Sequence, residues 1–166
     1  MREENVAALA GAYSLAMILG ALFFQYVIGV PPCEMCYWQR WPHDAAIVFG
    51  LGGALLCYAR VIDRKTVVLL AWIALFCILV TGLIGADQAL VEWKLIPGPA
   101  SCTGPRFVLH AGMDLNAKVV RCDEPGWRLF GISLAGYNFL GSLFMVTLGW
   151  LFLKGKIKLP AGFAWL

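Results

Sequence analysis

Charge is scarce in this sequence. Charged residues fill 14% of its 166 positions and hydrophobic ones 61%, with mean hydropathy +0.77; a soluble domain carries about 25% charge. That scarcity makes lipid the solvent and predicts a membrane protein. The formal charge of +3 is too small, and its basic residues too scattered, for a nucleic-acid partner. Internal repeats and low-complexity tracts are lacking, so the chain reads as one integral membrane domain over 1–166. A flavin or nicotinamide fingerprint and an iron–sulfur spacing are also lacking. C-x-x-C-H haem attachment fails because residue 37 is Tyr. "FGLGGAL" imitates a nucleotide loop but lies in an apolar stretch without a preceding strand, so small-residue helix packing is the expectation. A signal peptide is disfavoured, because "MREEN" is net acidic, the following apolar run is long, and no small-x-small cleavage site stands out.

What is present begins with four apolar stretches. Val6–Val30 runs 25 residues without charge, Thr66–Ala86 21, and Leu129–Leu153 25. Each is long enough for a hydrocarbon core of about 30 Å. Ala45–Ala59 has only 15 such residues and reaches spanning length by starting near Met35, which brings Arg40 and Asp44 into its first turns. The expected fold is therefore an all-α, four-transmembrane-helix bundle. Its spans lie at about 6–30, 36–59, 66–86 and 129–153, with a long extracytoplasmic loop over 87–128. Six basic residues crowd "RVIDRK" and "KGKIK", whereas the long loop balances five basic against five acidic. By the positive-inside rule both termini face the cytoplasm, and the long loop faces the oxidising side. Trp38, Trp41, Trp93 and Trp127 fall near the outer boundary, as an aromatic belt would.

Six cysteines remain to be sorted. Cys57 and Cys77 lie within spans and read as small hydrophobes. Cys33, Cys36, Cys102 and Cys122 all fall on the outer face. A four-thiolate zinc site usually takes two close pairs, whereas Cys102 and Cys122 stand twenty apart among Pro and Gly. No metal site is expected. A Cys102–Cys122 bond would stabilise the loop by about 3 kcal/mol in the chain-entropy model, and alone it would read as structural. Cys33–Cys36 closes too short a loop for that role and reads as a redox device. Pro31 and Pro32 stop the preceding segment, so a helix begins near Cys33 and its free N–H groups favour a thiolate there. Arg40, one turn after Cys36, adds a permanent positive charge. By elimination the electron acceptor is a lipid quinone in a cleft between helices. A non-catalytic membrane protein stapled by disulfides stays open at this point.

"PCEMCYWQRWPH", "VEWKLIPGPASCTG" and "CDEPGWRLFGISLAGYNFLGS" resemble the DsbB family of disulfide-bond formation membrane proteins, in order and spacing, from the end of the first span through the fourth. The resemblance implies a bacterial inner-membrane bundle with periplasmic redox cysteines. It would re-oxidise a periplasmic, thioredoxin-fold, DsbA-like dithiol oxidase and pass electrons to ubiquinone or menaquinone. On this likeness Cys102 forms the mixed disulfide and Cys122 resolves it, Cys33 exchanges with the loop pair, and Cys36 and Arg40 engage the quinone. Gln88, in "GADQALVEW", stands where a polar quinone ligand is expected. A partner at about −120 mV, as for DsbA, needs a still stronger oxidant behind the relay. His43 reads as interfacial, His110 receives no role, and Glu92 and Trp93 read as an interfacial segment. A paralogue with a dedicated partner would show the same motifs.

Overall fold

A computed structural model describes residues 3–103 and 120–155; His110, Lys156 and Lys158 lie outside the described residues. Helix α1 covers Glu3–Tyr26. It stops short of the end of its uncharged run, and 27–33 lead to the next helix with Gly29 at φ +78°. Helix α2, Glu34–Ile47, passes through a π-helical turn at Val48–Gly52 into α3, Gly53–Tyr58. Residues 34–58 thus form one helical rod, near 37 Å long at about 1.5 Å per residue.

Helix α4 runs Arg64–Glu92 and continues past the uncharged run, because Asp87 faces outward while Gln88 and Glu92 turn into the bundle. A short α5 covers Ala100–Thr103. Strands β1 (Arg128–Leu129) and β2 (Ile132–Ser133) form an antiparallel hairpin ahead of α6, Leu134–Leu153. Its two linking residues, Phe130 and Gly131, have φ +50° and +81°, the positive pair that a tight hairpin of this twist requires.

Side-chain caps start three of the helices. Asp63 accepts from the Thr66 N–H at 3.0 Å, Ser133 from Gly136 at 3.2 Å, and Cys33 from Cys36 at 3.2 Å. Each satisfies an orphan donor of a first turn.

Helix α4 is the hub and packs against α1, α2 and α6. Ala74, Leu75 and Ile78 meet Ala10, Ala46 and Met145 in the main core. Small residues let the rods close. A Cβ on Gly50 would stand 2.7 Å from the Ala7 carbonyl oxygen, and one on Gly85 2.8 Å from that of Ala135. Gly50 and Gly53 of "FGLGGAL" both face neighbouring helices, a Cβ on Gly53 standing 2.9 Å from Leu70, so close packing explains these two glycines of the motif, while Gly52 faces open space. Cys57 and Cys77 are free, half-buried thiols packed on these cores.

Helices α1, α4 and α6 are long and apolar enough to cross a membrane, and the protein is a mostly helical membrane protein. At one end of the bundle Arg64 pairs with Glu3, Tyr58 donates to Asn5, and Leu153 packs against the cluster of Ala7 and Ala54. Cys33, Cys36 and the hairpin lie at the other end.

Candidate functional site

The Pro31–Pro32 pair delivers an extended chain to Cys33, whose backbone (φ −82°, ψ 173°) is that of a residue just ahead of a helix. Cys33 and Cys36 are joined as a disulfide with Cα atoms 5.0 Å apart. Cys33 is buried and Cys36 half-buried. The loop pair is also closed, Cys102 to Cys122, with Cα atoms 5.4 Å apart and the Cys122 N–H on the Cys102 carbonyl at 3.1 Å. Cys122 is buried whereas Cys102, on α5, is half-exposed. All four cysteines meet in a single cluster: Cys33, Met35 and Cys122 form its buried part, with Cys36, Cys102 and Val120 packed on it.

Charges hold the loop pair in place. Arg121 grips Asp123 with two N–H groups, at 2.9 and 3.0 Å, and reaches the Thr103 carbonyl at 3.3 Å beside Cys102. Lys94, at the end of α4, ties the same Asp123 through its carboxylate and its backbone carbonyl. Arg121 and then Lys94 hold the Asp123 carboxyl well below the usual carboxylate range. The clasp therefore spans both sides of the segment outside the described residues.

Beneath the cysteines the bundle carries buried polar residues from every rod. Gln88 Nε2 lies 3.4 Å from Cys33 Sγ and 3.6 Å from Cys36 Sγ, and donates to Glu92 at 3.0 Å. Gln39 donates to Gln88 at 2.6 Å and accepts from Asn138 at 2.8 Å. His43 bridges Ser14 and Asn138, each at 3.1 Å. Of these residues only Gln88 is singled out for a role by the sequence reading. His43 faces the bundle interior, 3% exposed, because Met35, Gln39 and His43 follow at i, i+4 and i+8 on the inward face of α2. Glu92 is likewise buried, while its neighbour Trp93 is exposed. Polar residues inside apolar stretches were the available signal for Thr81, Asn138 and Ser142; for Gln39 the signal was its i+4 spacing to Met35 and His43.

Arg40 leaves α2 on an adjacent face. It donates to Gln25 at 2.8 Å and stacks over Tyr37, 5.0 Å from the ring centroid. Its Nε is buried and has no hydrogen-bond partner among the described residues. A cavity of about 710 Å³ adjoins it. Phe24, Trp127 and Leu134 give it apolar walls; Cys33, Cys36, Arg40 and His43 line its polar side. A largely apolar cavity of this size, with an unused buried donor on Arg40 and a disulfide in its lining, has room and chemistry for an apolar, carbonyl-bearing molecule such as a quinone. Among the described residues no group of His, Cys, Asp and Glu is arranged to hold a metal.

A model of the family "Disulfide bond formation protein DsbB" matches residues 3–152. The chain is 35% identical to disulfide bond formation protein B of Aeromonas salmonicida, covering 76% of this chain and 73% of that one. It is 29% identical to DsbI of Shewanella oneidensis, over 82% and 76%. Disulfide bond formation protein B of Polaromonas sp. is 25% identical, over 82% of each chain. No solved structure matches the chain.

Proposed function

From the premise that this chain belongs to the DsbB family of disulfide bond formation proteins, we propose that it is a protein-dithiol:quinone oxidoreductase of the bacterial inner membrane. The observation that carries the reading is the meeting of both disulfides in one cluster beside a largely apolar cavity. Four rods cross the membrane, the helical path 34–58 being the fourth. The end bearing Arg60 and Arg64 faces the cytoplasm, and the cysteines face the periplasm.

Cys122 is buried and Cys102 half-exposed, which supports the following order of exchange. A thiolate of a DsbA-like thioredoxin-fold partner attacks the half-exposed Cys102 Sγ, breaking its bond to the buried Cys122, which leaves as thiolate. The partner's second thiol then displaces Cys102 and leaves as a disulfide, so the loop pair has gained two electrons and two protons. The second exchange passes through Cys33, re-forms Cys102–Cys122 and leaves Cys33–Cys36 reduced; the packing of Cys33 with Cys122 supports this step. The N-terminal N–H of α2 already bonded to Cys33 steadies negative charge there. Arg40 and Cys36 would hold the quinone, either ubiquinone or menaquinone, which when bound takes up two electrons and two protons; Gln88 lines the same cavity, its amide engaged by Gln39, Glu92 and the sulfurs. Arg40 supplies the unused donor, and the apolar walls exclude water.

The test is quinone reduction by the purified full chain in detergent, with a reduced thioredoxin-fold oxidase as donor and quinone absorbance as readout. Turnover with the unmodified chain and none with Cys36→Ser is expected. Retained turnover in Cys36→Ser, or none in the folded parent with either quinone class, would end the proposal.

A further inference from the structure

Amide side chains have a nitrogen end and an oxygen end, and the two look alike unless a neighbour decides. Here two backbone carbonyls, which can only accept, decide. Asn138 Nδ2 lies 3.2 Å from the Thr81 carbonyl oxygen, so its Oδ1 faces His43. Gln39 Nε2 lies 3.3 Å from the Met35 carbonyl oxygen, so its Oε1 faces Asn138 Nδ2. Every other link then has one sense. Ser14 donates to His43 Nδ1, His43 Nε2–H donates to Asn138, and Asn138 donates to Gln39. Gln39 in turn donates to Gln88, whose Oε1 is thereby engaged, so Gln88 turns its NH₂ group toward Glu92 and the two sulfurs. Cys36 Sγ is 3.6 Å from that nitrogen and 3.9 Å from the amide oxygen.

We propose that this one-way chain of donors, anchored at Thr81 and Met35, exists to present the Gln88 amide N–H to the thiolate of the reduced Cys33–Cys36 pair. Gln88 is then the residue that carries part of the sulfur's charge, while Asn138 and His43 are positioning residues that act through Gln39. In the disulfide state the two Gln88 hydrogens serve Glu92 and a weak sulfur acceptor. On reduction and loss of one thiol proton the same sulfur becomes an anion, and the bond to it becomes charge-assisted without any side chain having to turn. The arrangement matters most in this low-dielectric setting, where water is poorly placed to solvate a thiolate. Were Gln88 reversed, its oxygen would face the anion and oppose it.

This rests on the pair being redox-active, but its test needs neither quinone nor partner, so the two readings fail separately. A full-length chain carrying Cys57→Ala, Cys77→Ala, Cys102→Ala and Cys122→Ala leaves Cys33 and Cys36 as the only thiols. Its reduced form is alkylated with iodoacetamide in detergent from pH 5 to 10, with each cysteine followed by mass spectrometry. Gln88→Leu and Asn138→Leu should both move the profile of the faster-reacting cysteine toward higher pH by about one unit, roughly tenfold slower alkylation at neutral pH. Gln39→Met, which keeps the volume, should do the same and stands in if Asn138→Leu does not fold. Ser142→Ala is the control. Ser142 is as buried and donates to Asn138 Oδ1 at 3.2 Å, yet it does not set the direction of the chain, so its profile should match the parent's. Parent-like profiles in the folded Gln88 and Gln39 variants would overturn the proposal, as would an equal shift in Ser142→Ala.

Discussion

The substitution Gly85→Ala measures how tightly α4 must lie against α6 for the site to form. A methyl group at residue 85 would stand 2.8 Å from the Ala135 carbonyl oxygen and 3.3 Å from both Asn138 Nδ2 and the Phe139 nitrogen. Two of these neighbours are backbone, so no rotamer change relieves the clash. The helices have to part from 2.8 Å toward the 3.4 Å of ordinary contact, by about 0.6 Å. Overpacking of this kind costs roughly 1–3 kcal/mol, while Gly to Ala in a helix interior returns about 1 kcal/mol. The net is a loss of up to about 2 kcal/mol. The same displacement would take the Asn138 bond to the Thr81 carbonyl, which crosses from α6 to α4, from 3.2 Å to about 3.8 Å, beyond hydrogen bonding.

The partner variant is Gly52→Ala, where a Cβ meets nothing within 4 Å; it should gain up to about 1 kcal/mol. Thermal unfolding in detergent, followed by helical circular dichroism, ranks the three chains. Gly52→Ala should melt at or above the parent and Gly85→Ala clearly below it, with thiol turnover reduced in Gly85→Ala alone. A Gly85→Ala chain as stable and as active as the parent would refute the packing of α4 on α6 and, with it, the placement of Asn138.

Two further predictions concern the ends of the relay. Arg40→Leu should raise the apparent KM for quinone about tenfold or more, from loss of a hydrogen bond by a charged donor, and leave the KM for the protein dithiol unchanged; steady-state kinetics varying each substrate separates the two. Asp123 titrates below its ordinary value because of Arg121 and Lys94. Its contribution is thus complete above the unfolded value of about 4 and is lost only as pH falls through the lower folded value. The loop clasp should accordingly show no inflection between pH 5 and 8, whereas Asp123→Ala should speed reduction of Cys102–Cys122 by a small dithiol up to about fivefold across that window.

The parts of this protein that were legible in its sequence are those set by neighbours along the chain. Lipid-length apolar runs gave α1, α4 and α6. The Pro-Pro-Cys junction gave the start of α2, because the prolines hold the chain extended and Cys33 caps the helix that follows; α1 itself ends earlier, at Tyr26, ahead of Gly29. The hairpin at Arg128–Ser133 went unseen. Its turn depends on Phe130 adopting φ +50°, a conformation no propensity assigns to a bulky residue. The uncharged-run criterion also cut the third helix at Asp87, since a run of uncharged residues cannot tell an exposed charge from a buried amide one position later.

The polar chain under the cysteines shows where local reasoning stops. Ser14, Thr81, Gln88 and Asn138 each stand out as polar residues in apolar helices, whereas Gln39 sits among the polar residues of α2, and once buried all of them demand partners. Which partner each takes depends on helix register, and register depends on glycines such as Gly50 and Gly85 whose neighbours lie far away in sequence. The direction of the chain depends on something less visible still, the backbone carbonyls of Met35 and Thr81. Two cysteines at C-x-x-C spacing announce redox chemistry from sequence alone. The polarity of the amide presented to them is decided by contacts between residues up to 99 positions apart. The reactivity of the pair is therefore a property of the bundle as a whole, and substitutions one or two helices away from sulfur are where it should be tuned.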